Sequence, residues 1–341
     1  MERTSRISRL TGVEVIACGS YAPPTVVTNG DLAAHGYDAD WIVQRTGILE
    51  RRRAADNVAA SDLALEAAQR CLQVAAARQG RGYDEVLRDV DLIVVATMTP
   101  DSQIPSTACH LQRRLGCDAA AMDVGAACAG FMYAAATGMQ FVKTGNAKNV
   151  LVVGTEVMTR TINPADRKTF PLFGDGAGAV LFGKGGDEQG FLAYEIGADG
   201  RGTDLLCIPG GGTREPLTPA GLAAGRQYIT MDGRAVFKWA VNLLADSVRA
   251  VVAHAGLTMN DLSLVILHQA NLRILDAAAD NLDIPTDRLV VNLDRYGNTS
   301  AASIPLALDE ALAANRIQRG DHILLSGFGA GLTWGTAVLK W

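Results

Sequence analysis

Basic charge is in short supply: 31 lysines and arginines stand against 36 aspartates and glutamates, a formal net charge of -5 over 341 residues. Phosphate backbones are held by basic fields, so this balance argues against a nucleic-acid partner. Long apolar runs are also missing. The longest, such as 92–98, are of strand length, far short of the roughly 20 residues that span a bilayer. Residues 1–12 are charged and lack the apolar centre of a signal peptide, so a cytoplasmic protein with no membrane association is expected. The six cysteines (Cys18, Cys71, Cys109, Cys117, Cys128 and Cys207) form no Cys-x-x-Cys pair, and the five histidines show no ligand spacing. No metal site is expected, and the chain is too large for a disulfide scaffold.

What is present is the composition of a globular protein, 48% hydrophobic and 20% charged, long enough for two domains of about 100–200 residues each. Short β-rich runs at 13–18, 91–96, 121–124 and 149–154 alternate with helical stretches. One of these, 61–76, carries Leu63, Ala67, Cys71 and Val74 on one face. Such alternation predicts an α/β architecture.

The plan also repeats. In the first half, strands 92–96 and 121–124 lead into a turn of small residues and a helix opening near Cys128, closed by Lys143 and Gly145. In the second half, expected strands 264–267 and 290–293 lead into the turn Tyr296-Gly297-Asn298-Thr299-Ser300 and a helix ending near Arg316 and Gly320. Residues 12–20 likewise resemble 190–199. The turn-rich 183–187 segment sets a boundary between halves 1–185 and 186–341, with Cys128 and Asn298 at matching places and a site expected between the halves. Segment 201–231, rich in proline and glycine, breaks the pattern and reads as a lid or as a passive surface excursion.

Four segments carry candidate chemistry. In Gly125-Ala126-Ala127-Cys128-Ala129-Gly130-Phe131, small neighbours leave room for a carbonyl to approach, and a helix N-terminus would lower the thiol pKa. The same turn could simply pack well, and most cysteines are small buried hydrophobes. His268-Gln269-Ala270-Asn271 follows a core strand, where histidine often serves as a structural hydrogen-bonder. Asn298 occupies a turn, where asparagine is common for backbone reasons. The glycines of 327–335 could be turn chemistry or could expose backbone N–H groups to a substrate oxygen. No Lys-Ser/Thr follows them, so they do not read as a phosphate cradle.

Together with Trp41-Ile-Val-Gln-Arg45-Thr46-Gly47, Phe173-Gly-Asp-Gly-Ala-Gly-Ala179 and Tyr296-Gly-Asn298-Thr-Ser-Ala-Ala-Ser303, these segments resemble the thiolase-fold condensing enzymes. The resemblance is strongest to the β-ketoacyl-acyl-carrier-protein synthase III family, and it runs over essentially the whole chain. It implies a thiolase-like α/β fold, two pseudo-duplicated halves in α-β-α-β-α layers, working as a homodimer. It implies decarboxylative Claisen condensation: acyl-CoA loads Cys128 as a thioester. Malonyl-acyl-carrier protein then loses CO2 and attacks, its enolate oxygen held by His268 and Asn298. The backbone N–H groups of Cys128 and Ala330 would form the oxyanion hole. CoA is a substrate, and no cofactor is implied.

For CoA binding the resemblance implies Trp41 stacking on adenine, with Arg45, Thr46 and Arg167 as polar contacts and Arg234, Phe237 and Lys238 near the tunnel mouth. It places Ile104 and Phe328 at the acyl pocket, Ile104 reaching the partner subunit's pocket. Lys238, Arg249 and Arg273 are implied in carrier docking. The chain departs from the usual pattern at Ala330, where many relatives carry glycine. Ile104 replaces a common phenylalanine, which would admit longer or branched acyl groups. Asp276, Asp280 and Asn281 stand where relatives often carry basic residues.

Rival readings are a related acyltransferase or condensing enzyme of secondary metabolism, a plant-type polyketide synthase, a papain-like hydrolase with the same Cys, His, Asn order, and a non-catalytic subunit. The second and third fit the block around Trp41 or the duplicated plan poorly, and a non-catalytic subunit would normally lose the cysteine.

Overall fold

A computed structural model describes residues 6–341. Two five-stranded sheets form its frame. In spatial order the first holds Val13–Tyr21, Asp175–Lys184, Asn149–Val157, Val90–Ala96 and Ala120–Val124. The second holds Ser8–Thr11, Gly190–Ala198, Thr333–Lys340, His322–Gly329 and Leu264–Leu267. From Val13–Tyr21 and Gly190–Ala198 inward the sheets repeat one order and one set of directions. Val90–Ala96 runs parallel to Asn149–Val157, as Leu264–Leu267 does to His322–Gly329. Residues 8–11 add an extra antiparallel edge to the second sheet.

Strands Asn149–Val157 and Leu264–Leu267 are buried along their whole length, as expected of sheets covered on both faces. Helices Gly130–Lys143 and Ser303–Ala313 lie between the sheets, and their apolar residues share one core with both. Helix Ala60–Gln79 covers the outer face of the first sheet. Helices Gly233–His254 and Leu272–Leu282 cover that of the second. The layers therefore run α-β-α-β-α. Among the described residues no helix is long and apolar enough to cross a membrane.

The expected helix over 61–76 extends across Ala60–Gln79 and stops at Gly80, whose φ of 62° takes the left-handed conformation of a helix end. Leu63, Ala67 and Cys71 face the sheet as expected, but Ala75 continues that stripe, and Val74 is exposed. Alanines let the helix lie close: a Cβ on Gly19 would come within 2.3 Å of the Cys71 backbone nitrogen.

Two expectations about the duplication need correction. The strand expected at 290–293 is reduced to one parallel bridge between Val265 and Leu289, and Leu293–Tyr296 is a helical turn. The Gln269 amide takes the ladder positions instead, donating to Leu267 O and Val290 O and accepting from Asn292 N. Second, Cys128 and Asn298 are not equivalent. In each half a non-glycine residue with positive φ, Ala127 at 48° or Ser300 at 49°, opens a three-residue 3-10 turn that runs directly into the buried helix. Cys128 therefore matches Ala301, and Asn298 lies three residues earlier.

Candidate active site

Cys128 is the middle residue of the 3-10 turn Ala127–Ala129, between edge strand Ala120–Val124 and helix Gly130–Lys143. Thr333 holds this turn by donating to Ala126 O at 2.8 Å. Gly329 lies directly against it, and a Cβ there would stand 2.6 Å from the Cys128 nitrogen. The glycine-rich segment is thus needed for close approach to the thiol turn. Ala330 is the next residue, its carbonyl accepting from Thr333 at 2.9 Å.

The thiol does not have the lowered pKa expected from the helix terminus. Burial pushes Cys128 up to about 12, while the Ser300 hydroxyl acts in the opposite direction and the Glu156 charge adds to the rise. Desolvation is the largest of these influences, and the Cys128 backbone N–H opposes it only in part. The protonated thiol is therefore the resting form.

His268 follows the last residue of Leu264–Leu267 and is 1% exposed. Its backbone N–H donates to Ser326 O at 2.8 Å, its Nδ1 meets Ser303 Oγ at 2.7 Å, and its ring stands edge-on to Phe328 at 5.3 Å. Burial pushes its pKa down to about 3, so the imidazole is neutral at physiological pH. Asn298 forms a bridge with Phe173, donates its N–H to Leu172 O at 2.8 Å and accepts from Gly174 N at 3.0 Å. Its side-chain Oδ1 accepts from Ser300 N at 2.9 Å, which leaves the amide NH2 as the free end.

Cys128, His268, Asn298 and Phe328 open into one cavity of about 1020 Å³. Its walls also include Trp41, Arg45, Thr46, Arg167, Arg234, Phe237 and Arg273. Lys168 adds positive charge, and Asp204 and Asp232 add negative charge. Both ends of segment 201–231 line the cavity, Leu206 and Cys207 pairing with Thr230 and Met231 in a short hairpin. Trp41 is 38% exposed on helix Ala39–Thr46, whose end is joined to the second half by Asn271 donating to Arg45 O. Thr46 reaches the wall, but its hydroxyl donates to Ile42 O and accepts from Ile48 N. Arg167 donates to Gly36 O and lies over the Tyr37 ring.

Other candidates lie outside this cavity. Ile104 is 86% exposed on the loop after Val90–Ala96. Lys238 and Arg249 are exposed on helix Gly233–His254, Arg249 donating to Asn281 O. Eleven residues separate them, three helical turns, so they share a face. Arg273 sits over the Phe237 ring at 5.8 Å and does line the cavity.

Sequence reading missed Glu156, Ser300, Ser303 and Arg51. Glu156 is fully buried and accepts from Thr99 Oγ1, Ser300 Oγ and Met98 N at 2.8–3.0 Å. Its signal was available: a carboxylate inside the apolar strand Asn149–Val157. Arg51 donates to Pro171 O and Asn29 Oδ1, holding the segment that pairs with Asn298. Nothing local marks Arg51, the first of three consecutive arginines in Glu50–Arg53.

Family models described as 3-oxoacyl-[acyl-carrier-protein] synthase III match residues 122–200, and its C-terminal part matches 252–341. A β-ketoacyl-[acyl-carrier-protein] synthase III from Rhodopirellula baltica is 53% identical, over 98% of this chain and 100% of its own. One from Desulfitobacterium hafniense is 46% identical over 97% and 98%. The crystal structure of the Thermus thermophilus synthase III superposes with a TM-score of 0.87 at 44% identity, covering 96% of this chain and 99% of its own. Fold, layered architecture and near full-length identity agree, and this chain belongs to the β-ketoacyl-acyl-carrier-protein synthase III family, condensing enzymes of the thiolase-like fold.

Proposed function

We propose that this chain condenses an acyl-CoA primer with malonyl-acyl-carrier protein, giving 3-ketoacyl-carrier protein, CoA and CO2, and so starts fatty-acid synthesis. The observation that carries this reading is a buried thiol, a neutral imidazole and a carboxamide at one cavity, whose wall bears Trp41 and several arginines.

The acyl group passes first to Cys128 as a thioester. The second stage needs donors for an enolate oxygen once CO2 has left. A neutral imidazole suits this, because it donates without surrendering its proton to the weakly basic malonyl carboxylate. The contact between Nδ1 and the Ser303 hydroxyl supports the tautomer this role needs, in which Ser303 donates to Nδ1 and the ring proton sits on Nε2. Asn298 has its Oδ1 occupied by Ser300 N–H, so its NH2 is the group left to donate. Backbone N–H groups of Cys128 and Ala330 hold the tetrahedral oxyanion.

Arginines 45, 167 and 234 with Trp41 suit the phosphates and adenine of CoA, and Phe237 the pantetheine path. Lys238, Arg249 and Arg273 form the face offered to the acidic carrier. The enzyme works in the cytoplasm as a homodimer, with exposed Ile104 entering the partner's acyl pocket beside Phe328.

Intact-mass measurement after incubation with acetyl-, isobutyryl- and octanoyl-CoA tests the reading. Wild type gains one acyl mass and Cys128→Ala gains none. Equal acylation of both proteins would remove Cys128 as nucleophile.

A further inference from the structure

A buried, protonated thiol must lose its proton before it can attack, and His268 is too weak a base in its apolar seat to take it. The first half of the molecule offers another route. Ser300 lies next to the Cys128 thiol and donates its hydroxyl to Glu156 Oε1 at 2.9 Å. Glu156 itself is 0% exposed.

We infer that Glu156, acting through the Ser300 hydroxyl, receives the Cys128 proton during acyl loading and returns it when the condensed product leaves. The inference rests on Cys128 being the nucleophile and adds a positioning and proton-holding residue to it.

The atoms balance over the cycle. The Sγ proton moves to Ser300 Oγ as the Ser300 proton moves to Glu156 Oε1, transferring negative charge from Glu156 to Cys128. The thiolate forms a bond to the thioester carbonyl carbon, the bond to CoA sulfur breaks, and CoA takes a proton from water. In the second stage the malonyl carboxylate leaves as CO2, and the new carbanion attacks the acyl carbon. Cys128 is expelled as thiolate and recovers its proton along the same path. One solvent proton is consumed per CoA released.

The surroundings of Glu156 suit a group that changes charge. Its other contacts are neutral donors: the hydroxyls of Thr97 and Thr99 and the N–H groups of Met98 and Ala301. Burial raises its pKa to about 6, making it a stronger base than His268 and easily neutralised. Nearby carboxylates on the elements packed against its strand are engaged elsewhere. Asp175 accepts from Ala54 and Thr159, Asp101 from Ser61, and Asp309 from Ser20. Neutralising Glu156 also removes a charge that would oppose the oxyanion formed on acyl-Cys128.

The experiment is alkylation by iodoacetamide, followed on the Cys128 peptide by mass between pH 5 and 9, for wild type, Glu156→Gln and Ser300→Ala. This readout needs no substrate, so it separates the relay from the identity of the nucleophile, which acyl-mass gain reports. In wild type the rate rises to a plateau once Glu156 ionises and is flat from pH 7 to 9. Both variants lose the plateau, climb about tenfold per pH unit as an isolated high-pKa thiol does, and react about 100-fold more slowly at pH 7. Variants that slow uniformly while keeping the wild-type profile would make Glu156 structural and overturn the relay. If Glu156→Gln fails to fold, Ser300→Ala and the wild-type profile decide: a tenfold-per-unit climb in wild type from pH 7 to 9 also overturns it.

Discussion

The two halves place opposite chemistry on one backbone plan. In the first sheet Ala96 pairs with Gly154, and in the second Leu267 pairs with Ser326. One step past each strand end, Thr97 matches His268. Two steps past each partner, Glu156 matches Phe328. In the first half this pair is a hydroxyl donating to a buried carboxylate at 3.3 Å, and in the second an imidazole edge-on to a phenyl ring at 5.3 Å. The polar seat keeps a group that can take a proton, while the apolar seat keeps a neutral ring that holds its own. A duplicated fold thus supplies two kinds of environment within reach of one thiol, one for loading and one for condensation.

The sharpest way to break this division is to remove the donors of the second half. His268→Ala and Asn298→Ala should each lower malonyl-dependent CO2 release by about 10²–10³, the usual cost of one oxyanion-type donor. Acyl-mass gain on Cys128 should remain. If either variant abolishes loading as well, the halves do not divide the work by step.

How much of this was legible in the sequence depended on what each residue answers to. The α/β alternation and the small-residue turn around Cys128 could be read because apolar period and glycine spacing are local signals, whereas the layering and the choice of Cys128 came from the resemblance to a known family. The equivalence of Cys128 with Asn298 was misread, since the matched feature is backbone conformation at Ala127 and Ser300, which neither residue type advertises. The thiol's acidity was misread because burial is a property of the assembled layers. Arg51 acts across about 120 residues, on Pro171, and nothing near it in the chain points there.

Acid and base should separate the matched groups by sign. His268 has a folded pKa near 3 against an ordinary 6.5, so between those values the unfolded chain binds more protons, and its contribution to stability falls as pH falls. Glu156 has a folded pKa near 6 against 4.5, so there the folded chain binds more protons, and its contribution falls as pH rises. Between pH 4.5 and 6 the two slopes oppose each other, each about 1.4 kcal/mol per pH unit at most. Urea unfolding across this range should show Glu156→Gln with the steeper loss toward acid and His268→Gln with a flattened or reversed one. Identical slopes in all three proteins would mean that the two seats do not differ as described.

The smallest effect tests the backbone equivalence itself. Ala127 and Ser300 both hold left-handed φ values, a conformation that costs a residue with a Cβ about 1–2 kcal/mol. Glycine relieves that cost but gives back about 0.5–1 kcal/mol through the freer unfolded chain. Ala127→Gly should therefore gain about 0.5–1 kcal/mol in urea unfolding, because its methyl group carries no hydrogen bond. Ser300→Gly relieves the same strain but removes the hydroxyl that Glu156 accepts, a bond to a charged group worth about 1.5–3 kcal/mol. It should lose stability overall. Equal gains at the two positions would show that the Ser300 hydroxyl contributes nothing to holding Glu156. Losses at both would show that the left-handed turns are not strained, and the matched geometry would then have some cause other than the need to bring a short turn against the thiol.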